Sequence, residues 1–175
     1  MHHTHRKNPN LVGIASEISV FTSEECEQII SLALQSQESY KSNNLTRKFA
    51  IDENKFSGLY EHIRKVFVVG NYLHFYYTNI FIEIIRYRDG DYEEAHTDWS
   101  AGKNRRKLFM TIQLSEKDDY SGCDVFLHTG ADSIAITPER GIAVVWPSWT
   151  LYEVSPVTSG ERWALVAWAE GNPFS

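Results

Sequence analysis

Cysteine is scarce in this 175-residue chain: only Cys26 and Cys123, far apart and in no CxxC pair. That excludes a disulfide-stapled scaffold and fits a reducing cytoplasm. No apolar run approaches the roughly 20 residues that a membrane-crossing helix needs. The N-terminus lacks the charged, apolar and small-residue layout of a secretory signal, so a cytoplasmic location is expected. Positive charge is not in excess; the net charge of -6 disfavours non-specific nucleic-acid binding and leaves room only for a local basic patch. No repeat, low-complexity tract or linker divides the chain, and a single domain over residues 1–175 follows. Histidine is missing beyond residue 128, the seven being His2, His3, His5, His62, His74, His96 and His128. What remains, 42% hydrophobic and 23% charged residues, is enough for a full hydrophobic core.

The first third reads as helical. Thr22 and Glu25 have capping-box spacing, and Cys26, Ile29, Ile30, Ala33 and Leu34 recur at helical period behind them. A second helix is expected from about Glu53 to Val69, with Phe56, Leu59, Tyr60, Ile63, Val66 and Phe67 on its apolar face and Gly70-Asn71 at its end. The period then changes. Ile80 to Tyr87 is β-branched and aromatic, a long strand before the turn Arg88-Asp89-Gly90-Asp91. Further strands are expected at Lys107–Leu114, Asp124–His128, Ser133–Ile136, Ile142–Trp146, Leu151–Ser155 and Arg162–Ala169. Helices followed by many short strands indicate an α+β fold with a strand sandwich or jelly roll backed by helices. Residues 1–10, with Met1-His2-His3-Thr4-His5, read as a flexible, solvated tail rather than a fixed metal site.

His96-Thr97-Asp98 carries the chemistry. Residues i and i+2 of an extended segment share a face, so an imidazole and a carboxylate can reach one ion together. With a third ligand from elsewhere, such a pair leaves open positions on iron. By itself HxD is a weak signal. Its surroundings add to it: Arg86 to Tyr92 before it, Leu114-Ser115 to Asp119-Tyr120-Ser121-Gly122-Cys123-Asp124-Val125 after it, Ala143 to Ser148, Glu153 to Trp163, and Phe21 to Cys26 at the start. In that order and spacing, these segments resemble the Fe(II)/2-oxoglutarate-dependent oxygenases of the prolyl-4-hydroxylase-like kind, from about Phe21 to Trp168.

The resemblance implies a double-stranded β-helix (jelly roll, cupin-like) over about 78–170, with helices from about 20–70 packed on one face. It implies Fe(II) on His96 and Asp98, and Arg162 gripping the distal carboxylate of 2-oxoglutarate, with Tyr87 adding a hydroxyl. A guanidinium is a rigid, permanently charged fork suited to that carboxylate. Ascorbate would serve as reductant. The implied activity is hydroxylation of a peptide or protein, prolyl residues included, or of a small molecule. Two positions depart from the family pattern: Cys123 stands at a glycine, and Tyr152 stands where the distal iron-binding histidine falls, ten residues before Arg162. Three accounts of the latter are open. Tyr152 binds iron as a phenolate; His128 fills the vacancy; or metal binding is impaired and the chain is a non-catalytic binding module on the same scaffold.

Three further features stand outside this pattern. Lys103, Arg105, Arg106 and Lys107 read as a solvated basic hairpin loop, with a border of the site mouth as the functional alternative. Trp146 and Trp149 read as core, with a substrate pocket as the alternative. The aromatic run Tyr72 to Tyr77 suits either substrate surface or packing between helices and sheet.

Overall fold

The computed structural model describes residues 5–6, 11, 15–35, 39–41, 47–100, 105–136 and 139–173. His2, His3 and Lys103 lie outside the described residues. In chain order the elements are β1 (His5–Arg6), β2 (Ser16–Ser19), α1 (Ser23–Gln35), β3 (Ser39–Lys41), β4 (Arg47–Ala50), α2 (Ser57–Gly70), β5 (Asn79–Tyr87), β6 (Glu93–His96) and β7 (Arg106–Gln113). There follow β8 (Tyr120–Gly122), β9 (Val125–His128), β10 (Ser133–Ile136), β11 (Ile142–Pro147), β12 (Leu151–Val154), β13 (Val157–Gly160) and β14 (Arg162–Glu170).

Both helices form where the apolar spacing places them. The capping box of α1 closes in both directions: the Glu25 amide donates to Thr22 Oγ1 at 3.2 Å, and the Thr22 amide to Glu25 Oε2 at 2.8 Å. Cys26, Ile29 and Ala33 are buried, whereas Leu34, expected on the same face, is exposed. Helix α2 begins four residues later than expected. Asp52 accepts the Asn54 amide on Oδ1 and the Lys55 and Phe56 amides on its carbonyl, so a turn occupies the first residues. At its other end Gly70 lies against β11; a Cβ there would meet Val145 Cγ2 at 2.8 Å.

The strands build an eight-stranded sheet, ordered β1-β2-β11-β7-β14-β5-β4-β3, and a four-stranded sheet, ordered β10-β9-β12-β6, with β13 and β8 paired separately. Successive strands cross from one sheet to the other: β5 to β6 to β7, then β9 and β10 to β11 to β12, and back to β14. That alternation is the expected double-stranded β-helix, with the helices on one face.

Alternation along each strand of the large sheet separates two cores. Ile80, Ile82 and Ile84 of β5, Leu108, Met110 and Ile112 of β7, and Leu165 and Ala167 of β14 pack under the helices. Ile85 and Tyr87, Phe109, Val144, Trp146, Val166 and Trp168 face the small sheet with Val125, Leu127 and Tyr152. This second core holds the polar groups described next.

Several strands escape the sequence pattern. β4 and β6 are charged, and only pairing with β5 and β12 extends them. Within the segment expected to be a solvated tail, His5–Arg6 pairs antiparallel with Glu17 and Ile18. No helix among the described residues is long and apolar enough to cross a membrane.

Candidate active site

Two strand registers assemble the site. In the large sheet, β14 pairs with β5 over nine residues, and Arg162 stands opposite Tyr87. In the small sheet, β12 pairs with β6, and Tyr152 stands opposite His96. Between the sheets lies a cavity of about 180 Å³ whose wall includes Tyr87, His96, Asp98, Tyr152 and Arg162. Five of the residues singled out in the sequence therefore meet in one space.

Arg162 is 2% exposed. Its Nε donates to Gln113 Oε1 at 2.9 Å, its Nη1 approaches Cys123 Sγ at 3.7 Å, and the guanidinium lies 5.4 Å from the Tyr87 ring centre. No carboxylate among the described residues pairs with it. A buried cation without a counter-ion is costly, and an incoming carboxylate would relieve it. Cys123 reaches the arginine from a left-handed backbone conformation, φ 55°, which glycine adopts freely and other residues at a cost of about 1–2 kcal/mol. The backbone at Cys123 thus has glycine-like geometry, with its thiol against Arg162.

Tyr87 is also buried, but its hydroxyl is engaged, donating to Glu93 Oε1 at 3.0 Å. Burial, and then the nearby Glu93 carboxylate, push its pKa well above the usual phenol range. Glu93 was not singled out in the sequence. It is 9% exposed, lines the same cavity and has Lys48 Nζ 3.9 Å from Oε1. The available signal was its place three residues before His96, hidden because β6 reads as a polar loop.

His96 Nδ1 lies 2.7 Å from the Glu94 carbonyl oxygen. A carbonyl only accepts, so Nδ1 carries a proton, which leaves Nε2 as the ring nitrogen for a metal. Glu93 Oε2 is 3.9 Å from that nitrogen. Asp98, nearly inaccessible to solvent, accepts from Arg106 Nη1 at 2.8 Å on Oδ1 and from the Tyr152 hydroxyl at 3.1 Å on Oδ2.

Arg106 corrects an expectation. It and Lys107 do not belong to a solvated loop: they open β7, Lys107 is buried, and Arg106 lies 4.3 Å from the Trp168 ring centre and 3.5 Å from Glu170 Oε1. The barrel shelters these two members of the basic cluster, whereas Arg105 is exposed.

Tyr152 is packed on three sides, with ring centres of His96, Phe109 and Trp146 at 4.5, 5.2 and 5.3 Å. Burial, reinforced by Asp98 and Glu93, holds its pKa well above the usual phenol range, so the side chain is a neutral donor. His128 does not line the cavity. Alternation along β9 turns Val125 and Leu127 inward, and His128 Nε2 sits 3.7 Å from Glu153 on the other face. Trp146 lines the cavity, whereas Trp149 is half-exposed and packs edge-on against Phe75 at 5.4 Å.

A profile described as the 2OG-Fe(II) oxygenase superfamily matches residues 82–170, just over half of the chain, and the chain belongs to that superfamily. Fe(II) and 2-oxoglutarate are the cofactors this membership implies. Among curated proteins it is similar to a PKHD-type hydroxylase of Alteromonas mediterranea, 36% identical over 66 residues, 38% of this chain and 29% of that one. A PKHD-type hydroxylase of Paracoccus denitrificans is 33% identical over 92 residues, covering 49% and 40%. The chain thus spans less than half the length of these relatives. In fold it is similar to a Pseudomonas putida prolyl-4-hydroxylase, TM-score 0.74 at 16% identity over 94% of this chain and 96% of the other. A prolyl hydroxylase from Trichoplax adhaerens, in complex with a hypoxia inducible factor oxygen degradation domain peptide fragment, gives a TM-score of 0.76 at 17% identity over 92% and 86%.

The donors around the cavity fit both cofactors. Three cations (Lys48, Arg106, Arg162) balance three carboxylates (Glu83, Glu93, Asp98) in its wall. A divalent cation and a dianionic oxoacid entering together would leave that balance unchanged. Imidazole nitrogen and carboxylate oxygen are suitable donors for Fe(II), and the unpaired guanidinium suits the acid.

Proposed function

We propose that the chain is an Fe(II)- and 2-oxoglutarate-dependent hydroxylase acting on a peptide or protein, prolyl residues included, and working in the cytoplasm. The observation that carries this reading is the convergence of His96, Asp98 and the counter-ion-free Arg162 on one cavity between the sheets. Hydroxylase names among the relatives support an enzyme over a non-catalytic binding module. The peptide held by the Trichoplax adhaerens protein supports the substrate class. The two free, buried cysteines fit a reducing compartment.

In this reading His96 and Asp98 hold the metal, and Tyr152 occupies the place of the distal ligand. Arg162 binds the distal carboxylate of 2-oxoglutarate, with Tyr87 beside it. Iron with the oxoacid supplies the activation of O2 and the oxidative decarboxylation that hydroxylation requires. The chain's own residues do the rest. Glu94 fixes the imidazole tautomer, Arg106 and Tyr152 orient Asp98, and Phe109, Trp146 and Trp168 exclude water. Anaerobic titration with Fe(II) and then 2-oxoglutarate tests this. A visible metal-to-ligand charge-transfer band is expected, and its absence at saturating concentrations would count against the reading.

A further inference from the structure

The candidate site leaves one half of a carboxylate unused. Glu93 gives Oε1 to the Tyr87 hydroxyl and to Lys48, but among the described residues Oε2 accepts no hydrogen bond. Glu93 lines the cavity, and Oε2 is the half of its carboxylate left for a ligand that enters there. What faces it, at 3.9 Å, is Nε2 of His96, whose other ring nitrogen is held by the Glu94 carbonyl.

We propose that Glu93 is the third protein ligand of the metal, completing a set with His96 and Asp98, while Tyr152 stays a neutral phenol that orients Asp98. This rests on the reading that His96 and Asp98 hold iron and names the partner that reading lacks. Ligand atoms bound side by side to one ion at about 2.1 Å lie roughly 3 Å apart, so the His96–Glu93 gap needs only a small side-chain adjustment. A carboxylate oxygen and an imidazole nitrogen that line one cavity at this separation are suitable donors for a shared divalent cation.

Tyr152 is the weaker candidate. Its hydroxyl already donates to Asp98 Oδ2, three aromatic rings hold it there, and ionising it would place a phenolate beside two carboxylates. The set is not preassembled: among the described residues no three His, Cys, Asp or Glu side chains are gathered around one point. The reason is visible, since Asp98 Oδ1 is drawn to Arg106. On metal binding Asp98 exchanges that contact for the ion. Arg106 retains Trp168 and Glu170, so its charge is not stranded.

The test is titration of the full chain with Mn(II) alone, following free Mn(II) by electron paramagnetic resonance, with His96→Ala subtracting any binding by the N-terminal histidines. Glu93→Gln, which keeps shape and loses charge, is expected to weaken the His96-dependent site at least about tenfold, and Tyr152→Phe to change it by less than about threefold. The reverse order overturns the proposal and leaves the reading of His96 and Asp98 standing. No His96-dependent site in the wild type overturns both. Should Glu93→Gln fail to fold, the wild type still decides. Loaded with one equivalent of Fe(II) and then oxidised, it is expected to retain iron without a tyrosinate-to-iron charge-transfer band, and the appearance of that band would overturn the assignment.

Discussion

At the scale of single residues, the site is governed by charges held out of water. Arg162→Ala is expected to weaken 2-oxoglutarate binding at least about tenfold while changing metal affinity little, because in the proposed reading the guanidinium meets the acid and not the ion. The charge-transfer band, titrated with oxoacid at fixed Fe(II), measures the first, and Mn(II) binding measures the second. Tyr87 and Tyr152 make a different prediction. Both folded-state pKa values lie above the unfolded value near ~10, so their contribution to stability is intact below about pH 10. It is lost as pH rises from there through the folded pKa, by up to about 1.4 kcal/mol per pH unit for each phenol. Urea unfolding between pH 8 and about pH 11 should show the fall, and Tyr87→Phe should reduce its slope.

At the scale of elements, register matters more than composition. Because Tyr152 sits opposite His96, Tyr152→His is expected to set a second imidazole beside the first and tighten Mn(II) binding; no gain would count against the pairing of β6 with β12 as the metal end. In α1, Thr22→Ala opens the capping box and should cost about 1 kcal/mol in urea unfolding. Legibility in the sequence follows the same division. The strands β5, β7, β11 and β14 were visible because they are apolar on both faces, one under the helices and one in the barrel. The strands β4 and β6 were not, since their residues are charged and only partner strands make them extend. Glu93 was lost with β6, and Arg106 was mistaken for a solvated loop residue because nothing local announces the Trp168 ring beneath it. His96, Asp98 and Arg162 were legible through spacing and resemblance to a family. The bonds from Tyr152 to Asp98 and from Arg162 to Gln113 were not, because each joins segments far apart in sequence.

At the scale of the whole molecule, the two cores divide the labour. The one beneath the helices stabilises, and the one between the sheets is interrupted by the cavity. Amide exchange is therefore expected to be slowest at the centre of β5, β14, β7 and β11, and faster in β6 and β12, whose register is broken between Tyr152 and Val154. Equal protection in both sheets would contradict this division. The aromatic layer of Phe109, Trp146, Tyr152 and Trp168 then has a further consequence. In the proposed reading the acid-binding Arg162 hangs from one sheet and the ion-binding His96 from the other, with these rings between them. They act as shims that set the span a bridging molecule must match. Thinning one of them should shift preference among dicarboxylates of different length before it harms affinity for metal.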